Sequence, residues 1–178
     1  MRLFVTGPTG SGKSTLATKI AQRAGLPKFS LDDMHWVRRP SGDKRRDPVE
    51  RLSMLQTVVQ LDGWVIEGVQ FKWADIAIER ADRIVVLDLP RWRTMMRILR
   101  RFSVRRLSLK PSSRGTLAAL AEEMHWSADY YDHERRMLFE KVGQWSDKLI
   151  VVRSRRDEHG LCEALLAAPR SLPRVENA

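Results

Sequence analysis

The chain has 178 residues, the size of one ordinary domain, and its single cysteine, Cys162, allows neither an internal disulfide nor a cysteine-rich zinc site. Lys and Arg outnumber Asp and Glu by 32 to 22, and the resulting formal charge of +10 favours anionic partners, whether nucleotides, nucleic acid or acidic surfaces. No apolar run approaches the roughly 18 residues of a membrane span, and Met1 leads straight into an apolar stretch, so neither leader nor membrane is expected and the expected location is cytoplasmic.

Arg2-Leu3-Phe4-Val5-Thr6 reads as a short buried strand. Gly7-Pro8-Thr9-Gly10-Ser11-Gly12-Lys13-Ser14 follows and fits G-x-x-x-x-G-K-[ST] at every fixed position. From Thr15 to Ala24 run good helix formers, with Gly25 as the stop. Strand, glycine loop, helix is the order that phosphate binding needs. The glycines let successive N–H groups point inward at an anion, and the helix adds the positive end of its dipole. Gly7, Pro8, Thr9, Gly10, Ser11, Gly12, Lys13, Ser14 and Thr15 are therefore the expected nucleotide-phosphate site. Lys13 would reach the β- and γ-phosphates, and the Ser14 hydroxyl would ligate Mg²⁺.

Residues 28–30 read as a second strand, with Asp32 and Asp33 just beyond its carboxyl end, where open α/β sheets bind ligands. Asp32 is the candidate to accept a hydroxyl proton or order Mg²⁺-bound water. Asp33, His35 and Trp36 are candidate acceptor contacts, Trp36 as an aromatic wall. Residues 38–47 read as a mobile polar loop. Asp47-Pro48-Val49-Glu50 is a helix start: a cap, a proline at the first position and a glutamate three residues after the cap. Trp64-Val65-Ile66-Glu67-Gly68 is a third strand ending in a carboxylate, and Gln70 follows as a further acceptor-side candidate. A short helix over 73–80, a fourth strand over 83–88 and a helix over 91–106 come next.

That helix carries Trp92, Met95, Met96, Leu99 and Phe102 as an apolar stripe. Arg93, Arg97, Arg100, Arg101 and Arg105 fall on the other side, and no acid occurs between Asp88 and Glu122. Unpaired like charges at i, i+4 are mutually unfavourable, so such a face is expected to meet an anion. Residues 116–140 continue as helix, 148–152 form a fifth strand, 158–168 a last helix, and 169–178 a frayed tail. Strands alternating with helices imply an α/β fold with a parallel sheet covered on both faces.

With the phosphate loop, Leu31-Asp32-Asp33-Met34-His35-Trp36, Trp64-Val65-Ile66-Glu67-Gly68 and Arg83 to Trp92 in place, the chain resembles the small phosphate-loop (P-loop) proteins related to adenylate kinase, often labelled DNA topology modulation proteins. The likeness runs from residue 1 to about residue 165. It implies a three-layer P-loop NTPase fold with strand order 2-3-1-4-5 and a helical, arginine-rich lid at about 91–115, within one domain over residues 1–168. It implies an ATP- and Mg²⁺-dependent phosphotransferase without fixing the acceptor, a small molecule of nucleotide or nucleoside type. Glu67 matches the acidic position that polarises Mg²⁺-bound water, so Lys13, Asp32, Glu67, Arg97, Arg101 and Arg105 form the expected catalytic set. The loop holding Arg155 is expected to border the adenine. One departure stands out: where the group has Asp-Gly-Asn-Tyr, this chain has Glu67-Gly68-Val69-Gln70. A rival reading is a nucleic-acid-associated NTP-binding protein, or a kinase of polynucleotide ends, using the basic helix 91–106. The expected assembly is a monomer or a homodimer.

Overall fold

A computed structural model describes residues 1–39, 42–107 and 116–167. Five parallel strands form the central sheet: β1 (Arg2–Thr6), β2 (Lys28–Ser30), β5 (Trp64–Glu67), β6 (Arg83–Leu87) and β7 (Leu149–Val152). Their spatial order is β2-β5-β1-β6-β7, which is the expected 2-3-1-4-5 when these five alone are counted. β1 is central because it is apolar on both faces. Leu3 and Val5 face one layer and Phe4 the other, and all three are fully buried.

The two layers differ in size. On one face Leu3, Val5, Val65, Val85 and Leu87 pack against α1 (Lys13–Ala24) and α8 (Arg155–Ala167) through Leu16, Ile20, Leu161 and Leu165. On the other, Phe4, Trp64, Ile66, Ile84 and Val86 pack against α2 (Leu31–His35), α3 (Pro48–Val59), α4 (Asp75–Arg80) and α7 (Arg135–Gly143). α3 begins where the sequence places it: Asp47 accepts hydrogen bonds from Val49 N at 2.8 Å and Glu50 N at 3.4 Å. α8 starts three residues earlier than expected. Ser154 Oγ accepts from Asp157 N at 3.2 Å, while Asp157 Oδ2 accepts from Ser154 N at 2.9 Å. This reciprocal cap, spelled Ser-x-x-Asp in the sequence, turns part of the expected basic loop into the first turn of a helix.

Two further stretches depart from the sequence reading. The loop expected over 38–47 contains β4 (Lys44–Arg45), which pairs antiparallel with β3 (Trp36–Val37) just before it, and an ion pair between Arg38 and Asp43 closes the pair. The helical stretch after residue 116 is α6 (Leu117–Asp129), then a π-helical turn over Tyr130–Glu134, then α7. The turn aims Tyr131 across at α5 (Arg91–Leu107). Tyr131 OH donates to Leu89 O at 2.6 Å and lies 3.3 Å from Thr94 Oγ1.

α5 is the element most unlike its expectation. Its buried residues are Thr94 and Ile98, whereas Trp92, Met96 and Leu99 of the expected apolar stripe are exposed. Arg97, Arg101 and Arg105 follow the buried side of the helix and Arg100 and Arg106 the exposed side. The helix is thus rotated relative to its hydrophobic pattern. Polar partners on other elements cause this: Ser11, Glu123, Ser127 and Tyr131 meet its inward side. The parts of the expected lid over 108–115, and the expected tail over 169–178, lie outside the described residues. No helix among the described residues is long and apolar enough to cross a membrane.

Candidate active site

The phosphate loop leaves the carboxyl end of β1 and closes into α1. Gly10 and Gly12 have φ of +83° and +94°, in the region that favours glycine. A Cβ at Gly10 would lie 2.7 Å from Thr94 O, and one at Gly12 would lie 2.9 Å from Arg97 Nη1. The loop and α5 therefore touch backbone to backbone and backbone to guanidinium. α1 has no side-chain cap and no acid in its first turn, so its leading N–H groups are open to an anion. Thr6 Oγ1 and Ser11 Oγ are buried and have no hydrogen-bond partner among the described residues. Buried hydroxyls without partners at a strand end are a cost that a phosphate oxygen or water would remove. Ser14 and Thr15 begin α1 on its exposed side.

Lys13 is 8% exposed, and its Nζ donates to Pro8 O at 3.4 Å, a long contact. Burial lowers its pKa, and the carboxylates of Asp32 and Glu67 push it back up, while Arg101 lowers it. Those four side chains therefore share one electrostatic neighbourhood, drawn from α1, α2, β5 and α5. Ser14 Oγ donates to Glu67 Oε2 at 3.0 Å, joining residues 53 apart in the chain. The sheet register explains the meeting. Glu67 is level with Val5 of β1 on one side and with Ser30 of β2 on the other. Glu67, Ser30 and the start of the phosphate loop thus share the carboxyl edge of the sheet. Hydroxyl and carboxylate side by side fit the demand of Mg²⁺ for few protein oxygens beside phosphate and water.

Arg97 donates to Ser11 O, inside the loop itself. Arg101 Nη2 and Arg105 Nη1 instead share one carboxylate, at 2.6 Å from Glu123 Oε2 and 2.9 Å from Glu123 Oε1. The sequence reading missed Glu123, which lies on α6 directly after Glu122, the acid that ends the long acid-free run. Beyond Arg97 lies a cleft of about 560 Å³, lined by Trp92, Arg93, Met96, Arg97, Ser154 and Arg156. The side chains of Arg155 and Cys162 lie outside the described part of the molecule.

α2 carries Asp32 and His35 three residues apart, hence on one face. Asp33 is exposed on another side. His35 Nδ1 is 2.9 Å from Arg51 Nη1. An arginine can only donate, so Nδ1 accepts and His35 is neutral with its proton on Nε2. Burial lowers the His35 pKa, and the charges of Arg51 and Arg45 lower it further. The imidazole stands edge-on to Trp36 at 4.9 Å and stacks with Trp73 at 6.3 Å. Gln70 leads into the turn that carries Trp73, and its Oε1 is buried without a partner among the described residues. Asp88 is held by Arg135 through two contacts of 2.7 Å, so this strand-end acid ties α7 to β6. No cluster of three or more His, Cys, Asp or Glu able to hold a metal occurs among the described residues.

Fold and site together define a small P-loop protein of kinase-like architecture. Shikimate kinase from Acinetobacter baumannii, solved in complex with shikimate, superposes with a TM-score of 0.56 at 13% identity, over 92% of this chain and 89% of that one. At that identity the likeness speaks for the fold alone. No protein-family model matches the chain. In sequence it is similar to adenylate dimethylallyltransferase of Agrobacterium tumefaciens (strain Ach5), 29% identical over 130 residues, or 73% of this chain and 48% of that protein. The same enzyme of Agrobacterium vitis is 26% identical over 130 residues, with the same shares. The chain spans about half the length of these curated relatives.

Proposed function

We propose that this protein is a cytoplasmic ATP-dependent phosphotransferase that moves the γ-phosphate to a small acceptor. The observation that carries the reading is the Ser14–Glu67 hydrogen bond at 3.0 Å beside a buried Lys13. It assembles the hydroxyl, carboxylate and ammonium that phosphoryl transfer uses for positioning and charge neutralisation. Residues 7–15 bind the triphosphate. Mg²⁺, when bound through phosphate oxygens, supplies charge neutralisation there, with Ser14 and Glu67 as the residues that would hold it. Lys13 bridges the phosphates. Asp32 takes the acceptor's hydroxyl proton. Arg97, with Arg101 and Arg105 behind it, stabilises charge on the transferring group. The cleft of Trp92, Met96, Ser154 and Arg156 is the shelf for the adenine, where Arg155 was expected, and Asp33, His35, Trp36 and Gln70 lie on the acceptor side. The narrower likeness to the DNA topology modulation group belongs to this same proposal.

The test is a γ-phosphate transfer screen against nucleosides, nucleotides, sugars and oligonucleotide ends, with and without Mg²⁺. The expected result is Mg²⁺-dependent transfer that Glu67→Gln reduces in kcat more than in ATP affinity. Transfer that survives EDTA, or a silent Glu67→Gln, would sink the assignment. The similarity to adenylate dimethylallyltransferases motivates a second reading, dimethylallyl transfer to adenylate. It is separated by supplying dimethylallyl diphosphate and AMP in place of ATP and acceptor: prenylated AMP would promote it. A nucleic-acid backbone finds less support. Of the arginines expected on one outer face, Arg97, Arg101 and Arg105 are engaged inward, which leaves few for phosphate contacts.

A further inference from the structure

A second cavity, of about 630 Å³, lies between the β3–β4 arm and the start of α3. Its wall includes Arg39, Lys44, Arg45, Arg46 and Arg51, with Asp47 and Glu50 as its only acids among the described residues. Both acids are already engaged. Asp47 accepts from the N–H groups of its own helix, and Glu50 pairs with Arg46. Among the described residues, no carboxylate pairs with Arg39, Lys44, Arg45 or Arg51, and the first three are exposed. Four uncompensated cations around one cavity repel one another unless an anion joins them.

Arg51 shows where that anion is wanted. Its Nη1 donates to His35, and its guanidinium lies 4.9 Å from the centre of the Trp73 ring, but its Nε is buried with no hydrogen-bond partner among the described residues. Trp36 forms a second aromatic edge, with the Arg45 guanidinium 5.6 Å from its ring centre. The cavity is also tied to the transfer site. Asp32 acts electrostatically on Lys13 of the phosphate loop and on His35 of the cavity wall. Asp32 and His35 share one face of α2, about 4.5 Å apart along its axis. At the other end of this face, Asp32 and Glu67 both act on Lys13, and Asp32 is the half-buried one of the two, a carboxylate that can accept a hydroxyl proton.

We propose that the acceptor is a small hydroxylated phosphomonoester, whose existing phosphate is anchored by Arg39, Lys44, Arg45 and Arg51 while its hydroxyl reacts at Asp32. The transfer step rests on the kinase reading above; the anion site does not. In the step, the hydroxyl oxygen forms a bond to Pγ, the bond from Pγ to the β–γ bridging oxygen breaks, ADP leaves, and the hydroxyl proton passes to the Asp32 carboxylate. A dianionic phosphate suits four cations better than a carboxylate does, because it offers more acceptor oxygens and more charge.

The test has a binding arm and a transfer arm. In the first, ribose 5-phosphate and ribose are titrated calorimetrically into protein saturated with Mg²⁺ and a non-hydrolysable ATP analogue, which keeps the phosphate loop filled. Ribose 5-phosphate is expected to bind, ribose to bind far more weakly, and the double variant Lys44→Glu/Arg45→Glu to lose affinity by roughly 10–100-fold, the scale of two ordinary hydrogen bonds from exposed side chains. In the second, γ-phosphate transfer is compared across matched pairs of phosphorylated and unphosphorylated sugars and nucleosides. The phosphorylated members are expected to be preferred, with the double variant raising their KM and leaving the KM for ATP unchanged. Transfer to unphosphorylated members with no binding of ribose 5-phosphate would remove the anion site and leave the kinase reading standing. Binding that the double variant abolishes, without transfer to any acceptor, would keep the site and remove the kinase reading. Equal affinity in the variant and the parent would overturn the proposal.

Discussion

The phosphate loop and α5 meet over a few ångströms, yet they take their shapes from different sources. The loop is set locally. Gly10 and Gly12 occupy its left-handed positions, where the backbone conformation itself favours glycine. α5 is set from a distance. Its hydrophobic pattern would bury Trp92, Met96 and Leu99, but Ser11, Glu123, Ser127 and Tyr131 hold the opposite side inward. The difference teaches that an amphipathic pattern orients a helix only when no stronger partner competes. A charged hydrogen bond contributes about 1.5–3 kcal/mol, comparable to the roughly 1.5–3 kcal/mol for burying one large apolar side chain. Several such bonds together can outweigh an exposed tryptophan and methionine. Those exposed side chains in turn line the cleft beside the loop.

The sharpest way to break this contrast is an alanine scan along α5 that reads ATP turnover. Arg97→Ala is expected to cost roughly 10³-fold in kcat, the scale of a transition-state arginine. The exposed Arg100 and Arg106 are expected to cost little. Arg101→Ala and Arg105→Ala should fall between, and Glu123→Gln should reproduce part of their loss by releasing both. Equal losses at inward and outward positions would show that the rotation of the helix is irrelevant to the chemistry.

On the loop side, Lys13→Ala should cut turnover by roughly 10²–10³, the effect of losing one preorganised donor. Its melting temperature should barely move, because the one hydrogen bond of Lys13 among the described residues is the long contact to Pro8 O, and the cost of burying its charge offsets the attraction of Asp32 and Glu67. Unchanged ATP turnover would defeat its assignment to the phosphates.

A smaller effect is expected where the two regions touch. Gly10→Ala places a methyl at φ +83° and 2.7 Å from Thr94 O, with Ile98 at 3.0 Å. About 1–3 kcal/mol of strain is expected, which lowers the melting temperature by roughly 3–10 °C for a domain of this size. A full-stability Gly10→Ala protein would mean that the loop and α5 are not in the contact described.

The smallest effect tests the acceptor side, away from both regions. The His35 pKa is lowered by burial and by Arg51 and Arg45, so the unfolded chain takes the proton more readily than the folded one. The stability that comes from neutral His35 is therefore present above the ordinary histidine value of about 6.5. It is lost as pH falls from there through the depressed folded value. Melting curves of the parent and of His35→Gln should diverge above that window and converge below it. Parallel curves across the whole range would remove the Arg51–His35 hydrogen bond from the account.

The sequence determined what depends on neighbours within a few residues. The G-x-x-x-x-G-K-[ST] spacing located the loop and the strand and helix around it, and the alternation of strands and helices gave the parallel sheet and both of its layers. The Asp47 cap marked the start of α3, and the Ser154-x-x-Asp157 cap was equally readable for α8. Tertiary structure decided what depends on partners far along the chain. It paired Ser14 with Glu67 across 53 positions, because the parallel register brings both to one edge of the sheet. It turned α5 over, because Glu123 and Ser11 compete with its apolar stripe. It gathered Arg39, Lys44, Arg45 and Arg51 around one cavity, because a two-residue strand pair folds a polar stretch back onto α3. Local spacing carries backbone geometry. Which charges meet is settled only when the chain has closed.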